Sequence, residues 1–141
     1  MISSKFLVLK IINNLTKNGK KFMAERVMCN LLNLLQKKYN INPIKILWIV
    51  LKKIKPSVEM INRRKSGKIY QIPKIIKPKR QLKIAIKWLF NNNYSQKKNT
   101  LEYNLFNEIN GIINLKSECL KKKEKLHRLA ESNRIYLHYR W

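Results

Sequence analysis

Apolar residues recur along most of the chain at spacings of three and four, the period that places side chains on one face of an α-helix. The clearest case covers residues 20–38. Its predicted inner stripe consists of Ala24, Val27, Met28, Leu31, Leu32 and Leu35. Asn18-Gly19 lies before this stretch and predicts the end of an earlier helix over residues 4–17, because glycine tolerates the left-handed conformation found at helix ends. The residues that this first helix is predicted to direct inward are Phe6, Leu9, Ile12 and Leu15.

A third helix is predicted to begin at Asn42-Pro43. Asparagine caps helix N-termini, and proline is favoured at the first helical position. Pro56 bounds this helix, because the residue before a proline is disfavoured from the helical conformation. The predicted inner residues of the third helix are Ile44, Leu47, Trp48 and Leu51.

Residues 57–76 do not follow the helical period and predict a β-hairpin. Two short strands, over residues 57–64 and 68–76, flank a turn at Lys65-Ser66-Gly67. Pro73 confines the second strand to an edge or a bulge, since proline donates no backbone hydrogen bond. A two-stranded ribbon is marginally stable alone, so we expect another element to pack against it.

The helical period resumes over residues 78–91, again from the Asn99-Thr100 cap, and again from Ser117 to about Leu137. The predicted inner residues of these three helices are Leu82, Ala85, Ile86 and Leu89, then Leu101, Leu105, Ile109 and Ile112, then Leu126, Leu129, Ala130 and Leu137. The pattern therefore predicts a mainly α protein, one domain over residues 1–141. It has six helices and a protruding β-hairpin between the third and the fourth.

The charge of the chain changes what this fold is expected to do. Thirty-two lysines and arginines stand against seven acidic residues, which gives a formal net charge of +25. A domain with such a charge repels itself unless a polyanion lies beside it, so nucleic acid or an acidic membrane is the expected neighbour. The longest apolar run, residues 46–51, is too short to span a bilayer. A membrane-surface protein would also need one strongly basic amphipathic face, whereas the basic runs here are dispersed.

Catalytic and metal-binding chemistry have little support in the sequence. The chain contains no aspartate, which disfavours Mg²⁺ and Ca²⁺ sites and paired-carboxylate catalysis. Its three glycines are isolated, so there is no phosphate-binding loop. Cys29 and Cys119 fit neither a zinc pattern nor a disulfide framework and are predicted to be buried free thiols. His127 and His138 lack companions at ligand spacing. We predict no enzyme activity, no metal and no cofactor.

Several motifs together resemble the bacterial-type ribosomal small-subunit protein seven family, in the same order and over nearly the whole chain. Around the hairpin they are Lys55-Pro56-Ser57-Val58-Glu59, Arg63-Arg64, Gly67 and Tyr70-Gln71-Ile72-Pro73. Near the N-terminus they are Gly19-Lys20-Lys21 and Ala24-Glu25. Near the C-terminus they are Lys121-Lys122, His127-Arg128, Ala130-Glu131, Asn133 and His138-Tyr139-Arg140-Trp141.

The resemblance implies a structural role in the head of the small ribosomal subunit. Members bind the 3′ major domain of small-subunit rRNA early in assembly and help to organise the head. The hairpin and the last helix of members lie near the exit-site tRNA and the mRNA path, and members contact neighbouring head proteins and, on the platform, ribosomal protein eleven.

The basic runs and the resemblance together nominate a set of RNA-binding residues. Neutralising phosphates with lysine and arginine releases counterions, which is the main source of affinity for RNA. The nominated cations are Lys20, Lys21, Arg63, Arg64, Lys65, Lys68, Lys77, Lys79, Arg80, Lys83, Lys121, Lys122, Lys125 and Arg128. Tyr70 is a candidate for stacking on bases, whereas Trp88 is expected to be structural. The nominated contacts with tRNA or a protein are Tyr139, Arg140 and Trp141.

The chain departs from the family at four places. The basic segment that precedes the first helix in members is missing or nearly so. The turn Lys65-Ser66-Gly67 stands where members commonly have an apolar residue and two glycines. Gln81 replaces an arginine, and Ser117 stands where glycine is usual.

Two questions stay open at the level of sequence. Lysine heavily outnumbers arginine, and isoleucine and asparagine are abundant, a bias typical of an AT-rich genome. A mitochondrial ribosome is therefore the first expectation for location and a plastid ribosome the second. The main alternative function is a free-standing regulatory RNA-binding module, which would be found outside ribosomes.

Overall fold

The computed structural model of the protein describes residues 4–94 and 100–139. Six α-helices, two β-strands and a terminal 3₁₀ helix follow one another in these ranges. They are α1 Ser4–Leu15, α2 Lys21–Tyr39, α3 Pro43–Ile54, β1 Val58–Lys65, β2 Lys68–Ile75, α4 Pro78–Tyr94, α5 Leu101–Ile113, α6 Glu118–Ser132 and the 3₁₀ helix Arg134–Tyr139. The mainly helical class and the hairpin between the third and fourth helices are confirmed.

Local sequence signals set several of the helix boundaries. The Asn42 side chain accepts a hydrogen bond from the backbone N–H of Ile44 at 3.0 Å, as expected of a cap. Asn18 and Gly19 both have positive φ, 51° and 73°, and turn the chain between α1 and α2. Ser117 caps α6, since its hydroxyl accepts from the N–H of Leu120 at 3.3 Å.

The hydrophobic core lies between α1, α2, α3, α4 and α5, and α6 adds the fully buried Cys119. The predicted inner stripe of α2 is confirmed, because Ala24, Met28, Leu31 and Leu35 are buried and Val27 and Leu32 pack against the core. The fifth helix contributes Leu105, Ile109 and Ile112, all fully enclosed. Burial of this apolar surface is the main force that holds the helices together.

The predicted orientation of α1 is wrong for two of its four residues. Phe6 and Leu9 are 50% and 51% exposed, whereas Leu7 and Ile11 are buried together with Ile12 and Leu15. The reason is that this helix is apolar on more than one face, so its sequence is compatible with two orientations. Packing against α2 and α4 selects one of them.

Two further predictions of burial are wrong for a related reason. Trp48 is 43% exposed, and Val50 and Ile54 fill the α3 side of the core instead. Cys29 is exposed on α2, although Cys119 is buried as predicted. Both α3 and α2 offer more apolar side chains than one face can bury, so position in the fold decides which of them is enclosed.

The ends of α4 and α6 also differ from the prediction. The fourth helix continues to Tyr94 instead of ending at residue 91. The sixth helix ends at Ser132, five residues before the predicted Leu137, and a 3₁₀ helix follows it. Asn133 marks this change: its side-chain N–H₂ donates to the carbonyl of Leu129 at 2.9 Å, and its backbone N–H reaches the same carbonyl. Such local bonding competes with continued α-helix.

Two of the predicted inner residues of the sixth helix are exposed. Leu129, within α6, and Leu137, beyond its end, are 41% and 40% exposed, whereas Ala130 is buried and Leu126 is half-buried. The predicted apolar stripe is therefore correct only at Leu126 and Ala130.

The orientation of α1 can be tested by paired truncations. Leu7→Ala should lower the free energy of unfolding by about 2–5 kcal/mol, because it empties a buried site. Leu9→Ala removes the same atoms from a half-exposed site and should cost well under half as much. Urea unfolding followed by circular dichroism measures both values. Equal losses, or a larger loss for Leu9→Ala, would favour the orientation expected from the sequence.

Candidate RNA-binding surface

The hairpin is closed by a tight two-residue turn. Ser66 and Gly67 both have positive φ, 48° and 79°, the combination that matches the twist of paired strands. Lys65 and Lys68 are the last residue of β1 and the first of β2, and they lie directly opposite each other. Like charges in this arrangement are destabilising, so an anion beside the tip would relieve their repulsion.

The two arginines of β1 point to opposite sides of the ribbon, because neighbouring residues in a strand alternate between faces. Arg63 shares a face with its partner Tyr70, whereas Arg64 shares the other face with Ile69. Every residue from 62 to 69 is exposed. The tip therefore presents cations on both faces and can contact RNA from either.

Hydrogen bonds fix the base of the hairpin to α4. The Arg80 guanidinium donates from Nε to Oε2 of Glu59 at 2.7 Å, an ion pair between α4 and β1. The Gln81 side-chain amide donates to the carbonyl of Ile76 at 3.1 Å. Ile72 and Ile76 are buried beside these contacts. Gln81 thus helps to hold the hairpin.

The sixth helix packs against the other side of the hairpin base. Nε2 of His127 accepts a long hydrogen bond of 3.4 Å from the backbone N–H of Ser57. This contact brings the cationic outer face of α6 next to the root of β1. The outer face forms an open depression of about 570 Å³, and the residues that line it are Lys121, Glu124, Lys125, Arg128, Leu129 and Ser132.

Aromatic contacts join the hairpin to the 3₁₀ helix. The ring of Tyr70 lies 5.2 Å from that of Tyr136 and 5.3 Å from that of Tyr139, centroid to centroid. Nζ of Lys65 lies 4.0 Å from the centroid of the Tyr139 ring. Such pairs prefer tilted or edge-to-face geometry, which both tyrosine contacts show. Through these contacts the 3₁₀ helix packs against the two-stranded ribbon, which is marginally stable alone.

Two lysines bond the ends of helices. Nζ of Lys123 donates to the carbonyl of Lys53 at 2.7 Å, in the last turn of α3. Nζ of Lys53 in turn donates to the carbonyl of Ile113, the last residue of α5, at 3.2 Å. Cations at helix C-termini are favourable because the last carbonyls lack partners and carry partial negative charge. These bonds tie α6 to α3 and α3 to α5.

The environment of Lys123 disfavours its charged form. Burial, followed by the nearby charge of Lys55, lowers the pKa of Lys123 below its ordinary value of 10.5. The sequence run of three lysines at positions 121–123 gives no sign of this difference. Lys123 is a structural cation, whereas Lys121 and Lys122 are exposed.

The nominated cations fall into two groups in space. All fourteen are exposed. Those of the hairpin lie at its tip, and those of the start of α4 and of the outer face of α6 flank its base. Lys20 and Lys21 lie elsewhere, at the start of α2, which packs on α1, α3 and α5. Lys21 also contacts Glu25 at 3.6 Å.

The nominated aromatic residues have different positions. Tyr139 is half-buried against Tyr70 and Tyr136, and Trp88 is half-buried against the core. Arg140 and Trp141 lie outside the described residues.

The described residues contain neither a group of metal-ligand side chains nor a membrane-spanning helix. Residues 4–94 and 100–139 contain no group of three or more histidine, cysteine or glutamate side chains able to hold a metal ion. In the same ranges, no helix combines the length and the hydropathy needed to cross a membrane.

Comparison with known proteins gives a consistent result. The family model described as Ribosomal protein S7p/S5e matches residues 2–134. Relatives from Jannaschia sp., Dinoroseobacter shibae and Rubrobacter xylanophilus, each named Small ribosomal subunit protein uS7, are 36% identical to the chain over 135 residues. The alignments cover 96% of this chain and 86% of each relative.

The role of the tyrosine contacts can be tested with two neighbouring substitutions in β2. Tyr70→Ala removes two ring pairs worth about 0.5–1.5 kcal/mol each and should raise amide hydrogen exchange in residues 58–75 roughly five-fold or more. Ile69→Ala, at a 68% exposed position on the opposite face, should leave exchange nearly unchanged. Mass spectrometry of exchanged peptides gives the rates. Equal exchange in the two variants would mean that the 3₁₀ helix does not support the hairpin.

The pH dependence of stability tests the position of Lys123. Because its pKa is lower in the folded than in the unfolded state, the unfolded state binds more protons just below pH 10.5, and stability rises with pH there. The unfolding free energy of wild type minus that of Lys123→Met should therefore increase as pH rises towards 10.5. Lys123→Arg stays charged and should show no such rise. A constant difference would contradict the assignment.

Proposed function

The chain belongs to the ribosomal protein S7p/S5e family, and on that basis we propose that its exposed cations bind the 3′ major domain of small-subunit rRNA. As a member it is a structural, non-enzymatic component of the small ribosomal subunit that associates with rRNA and ribosomal proteins. What remains to be assigned is which surface contacts which partner.

The observation that carries the proposal is the exposed hairpin tip. Arg63, Arg64, Lys65 and Lys68 lie within six residues, and all are exposed. No acidic residue lies among them, since the single acid of the hairpin, Glu59, is at its base and is paired with Arg80. Because contacts with α4, α6 and the 3₁₀ helix hold the hairpin, its backbone already presents these cations together, which favours RNA binding.

The cations at the start of α4 and on α6 extend this surface. Lys77, Lys79 and Lys83 flank the base of the hairpin on one side, and the α6 face flanks it on the other. Arg80 has a double role, because its Nε is used by Glu59 while its remaining N–H groups can still donate to a phosphate. Contact of several elements with RNA would organise the head of the subunit during assembly.

The hairpin and the C-terminal segment are further proposed to lie near the exit-site tRNA and the mRNA path, with ribosomal protein eleven as a neighbour. The support is the position of Tyr139, the last residue that the structure describes, which packs against Tyr70 of the hairpin. The neighbourhood of Tyr139 combines aromatic rings with the ammonium group of Lys65, which suits both RNA bases and a protein surface.

For the compartment, we propose a mitochondrial ribosome, with a plastid ribosome as the alternative. The support is compositional: lysine strongly exceeds arginine, and isoleucine and asparagine are frequent. The relatives reported above are bacterial proteins, as expected for the source of either organelle's ribosome. Fractionation of organelles followed by immunodetection of the protein distinguishes the two.

Sedimentation tests the proposed function directly. The protein should travel with small subunits in a sucrose gradient and leave them only at high salt, since its binding depends on counterion release. A protein found mainly at the top of the gradient at low salt would instead fit a regulatory module outside the ribosome.

Substitution of the two hairpin arginines tests the surface. Arg63→Ala with Arg64→Ala should weaken binding to 3′ major domain rRNA and lower the slope of log K against log salt by at most about two units. Filter binding at several salt concentrations measures both. The matched control, Arg63→Lys with Arg64→Lys, keeps both charges and should keep the slope, even if the loss of forked geometry lowers affinity. An unchanged slope in the alanine variant would show that the hairpin arginines do not contact RNA phosphates.

A further inference from the structure

The fifth helix differs in charge from every other described element. Each of α1 to α4, α6, both strands and the 3₁₀ helix contains lysine or arginine, but α5 contains neither. It carries two of the seven acidic residues of the chain, Glu102 and Glu108. In a protein of net charge +25 this helix is an exception.

The outer face of α5, defined here as Glu102, Tyr103, Phe106 and Asn107, is also partly apolar. Tyr103 is 49% exposed, and its ring lies 6.3 Å from that of half-buried Phe106. Asn107 is exposed beside them. Exposed aromatic groups are typical of surfaces that bind proteins.

The two carboxylates of α5 are arranged differently. Glu108 faces inward, and its Oε1 accepts from the N–H of Cys119 at the start of α6, at 3.4 Å. Glu102 accepts from the neutral side-chain amide of Asn30 at 3.0 Å. An amide leaves the negative charge of Glu102 in place. The carboxylate of Glu102 therefore disfavours a phosphate group beside it.

The aromatic rings of this face already attract one ammonium group. Nζ of Lys38, from α2, lies 5.3 Å from the ring centroid of Phe106 and 5.5 Å from that of Tyr39. Cations over aromatic rings are held by the charge distribution of the ring. Tyr103, more exposed than Phe106 and next to Glu102, offers the same attraction to a cation from outside.

We propose that the outer face of α5 binds a neighbouring protein of the small subunit through a segment of that protein that carries lysine or arginine and apolar side chains. Glu102 would pair with the cation, and Tyr103 with Phe106 would cover its apolar stem, since long basic side chains bury their methylene groups against apolar surface. This inference rests on the proposed place of the protein in the subunit. It divides the molecule into a cationic RNA side and one helix reserved for protein.

Site-directed photocrosslinking in intact small subunits tests the inference. A benzophenone derivative of phenylalanine replaces Tyr103 in one variant and Phe22 in a matched control. Phe22 is likewise an exposed helical aromatic residue, at 75%, but it follows Lys20 and Lys21. After irradiation of purified subunits, the Tyr103 position should crosslink to a peptide of another subunit protein that contains lysine or arginine. The Phe22 position should crosslink to rRNA.

The outcomes separate this inference from the proposed function. Crosslinking of the Tyr103 position to rRNA, or no product there while Phe22 crosslinks rRNA, would overturn the inference alone. Absence of the protein from purified subunits would overturn the proposed function.

A charge substitution tests the chemistry of the partner. Glu102→Lys should lower the yield of the protein crosslink at position 103 severalfold, because it opposes the partner's cation. Glu102→Gln keeps a hydrogen-bond acceptor for Asn30 and should have a smaller effect. An unchanged yield in Glu102→Lys would show that the partner segment is not basic and would overturn the assignment.

Discussion

The hairpin depends on contacts outside itself, because two strands have no hydrophobic core of their own. Its direction is set where Glu59 meets Arg80, where Ser57 meets His127 and where Tyr70 meets the 3₁₀ helix. These contacts involve α4, which follows the hairpin directly, and α6 and the C-terminal segment, which are distant from it in sequence. The position of every cation at the hairpin tip follows from them.

Electrostatic repulsion is the second constraint on this fold. A net charge of +25 on 141 residues opposes compaction, so cations must either find internal acceptors or face outward. The protein does both. Lys53 and Lys123 bond helix-end carbonyls, which have no other backbone partner, while the cations of the hairpin tip and of the outer face of α6 face outward. Residue type alone does not distinguish these uses.

The distribution of charge over the surface is as informative as its total. Cations lie at the hairpin tip on β1 and β2 and flank the hairpin base on α4 and α6, whereas α5 carries none and presents aromatic and acidic groups. A small protein embedded between RNA and other proteins needs both kinds of surface. The outer face of α5 is the counterpart of the hairpin in this arrangement.

The sequence by itself determined the order of the six α-helices and the hairpin, although not the terminal 3₁₀ helix, because caps, prolines and turn residues act locally. Asn42-Pro43, Pro56, Ser66-Gly67 and Ser117 each mark a boundary that the structure has. It also determined the basic character of the hairpin. Tertiary structure alone decided the orientation of α1, whose Leu7 and Leu9 are chemically equal. It also decided that Lys123 donates to an internal carbonyl whereas Lys121 is exposed, since identical side chains differ only in what surrounds them. Periodicity shows which faces of a helix are apolar, but packing against other elements decides which of two apolar faces is buried. Packing likewise decides which lysine of a run donates to an internal carbonyl.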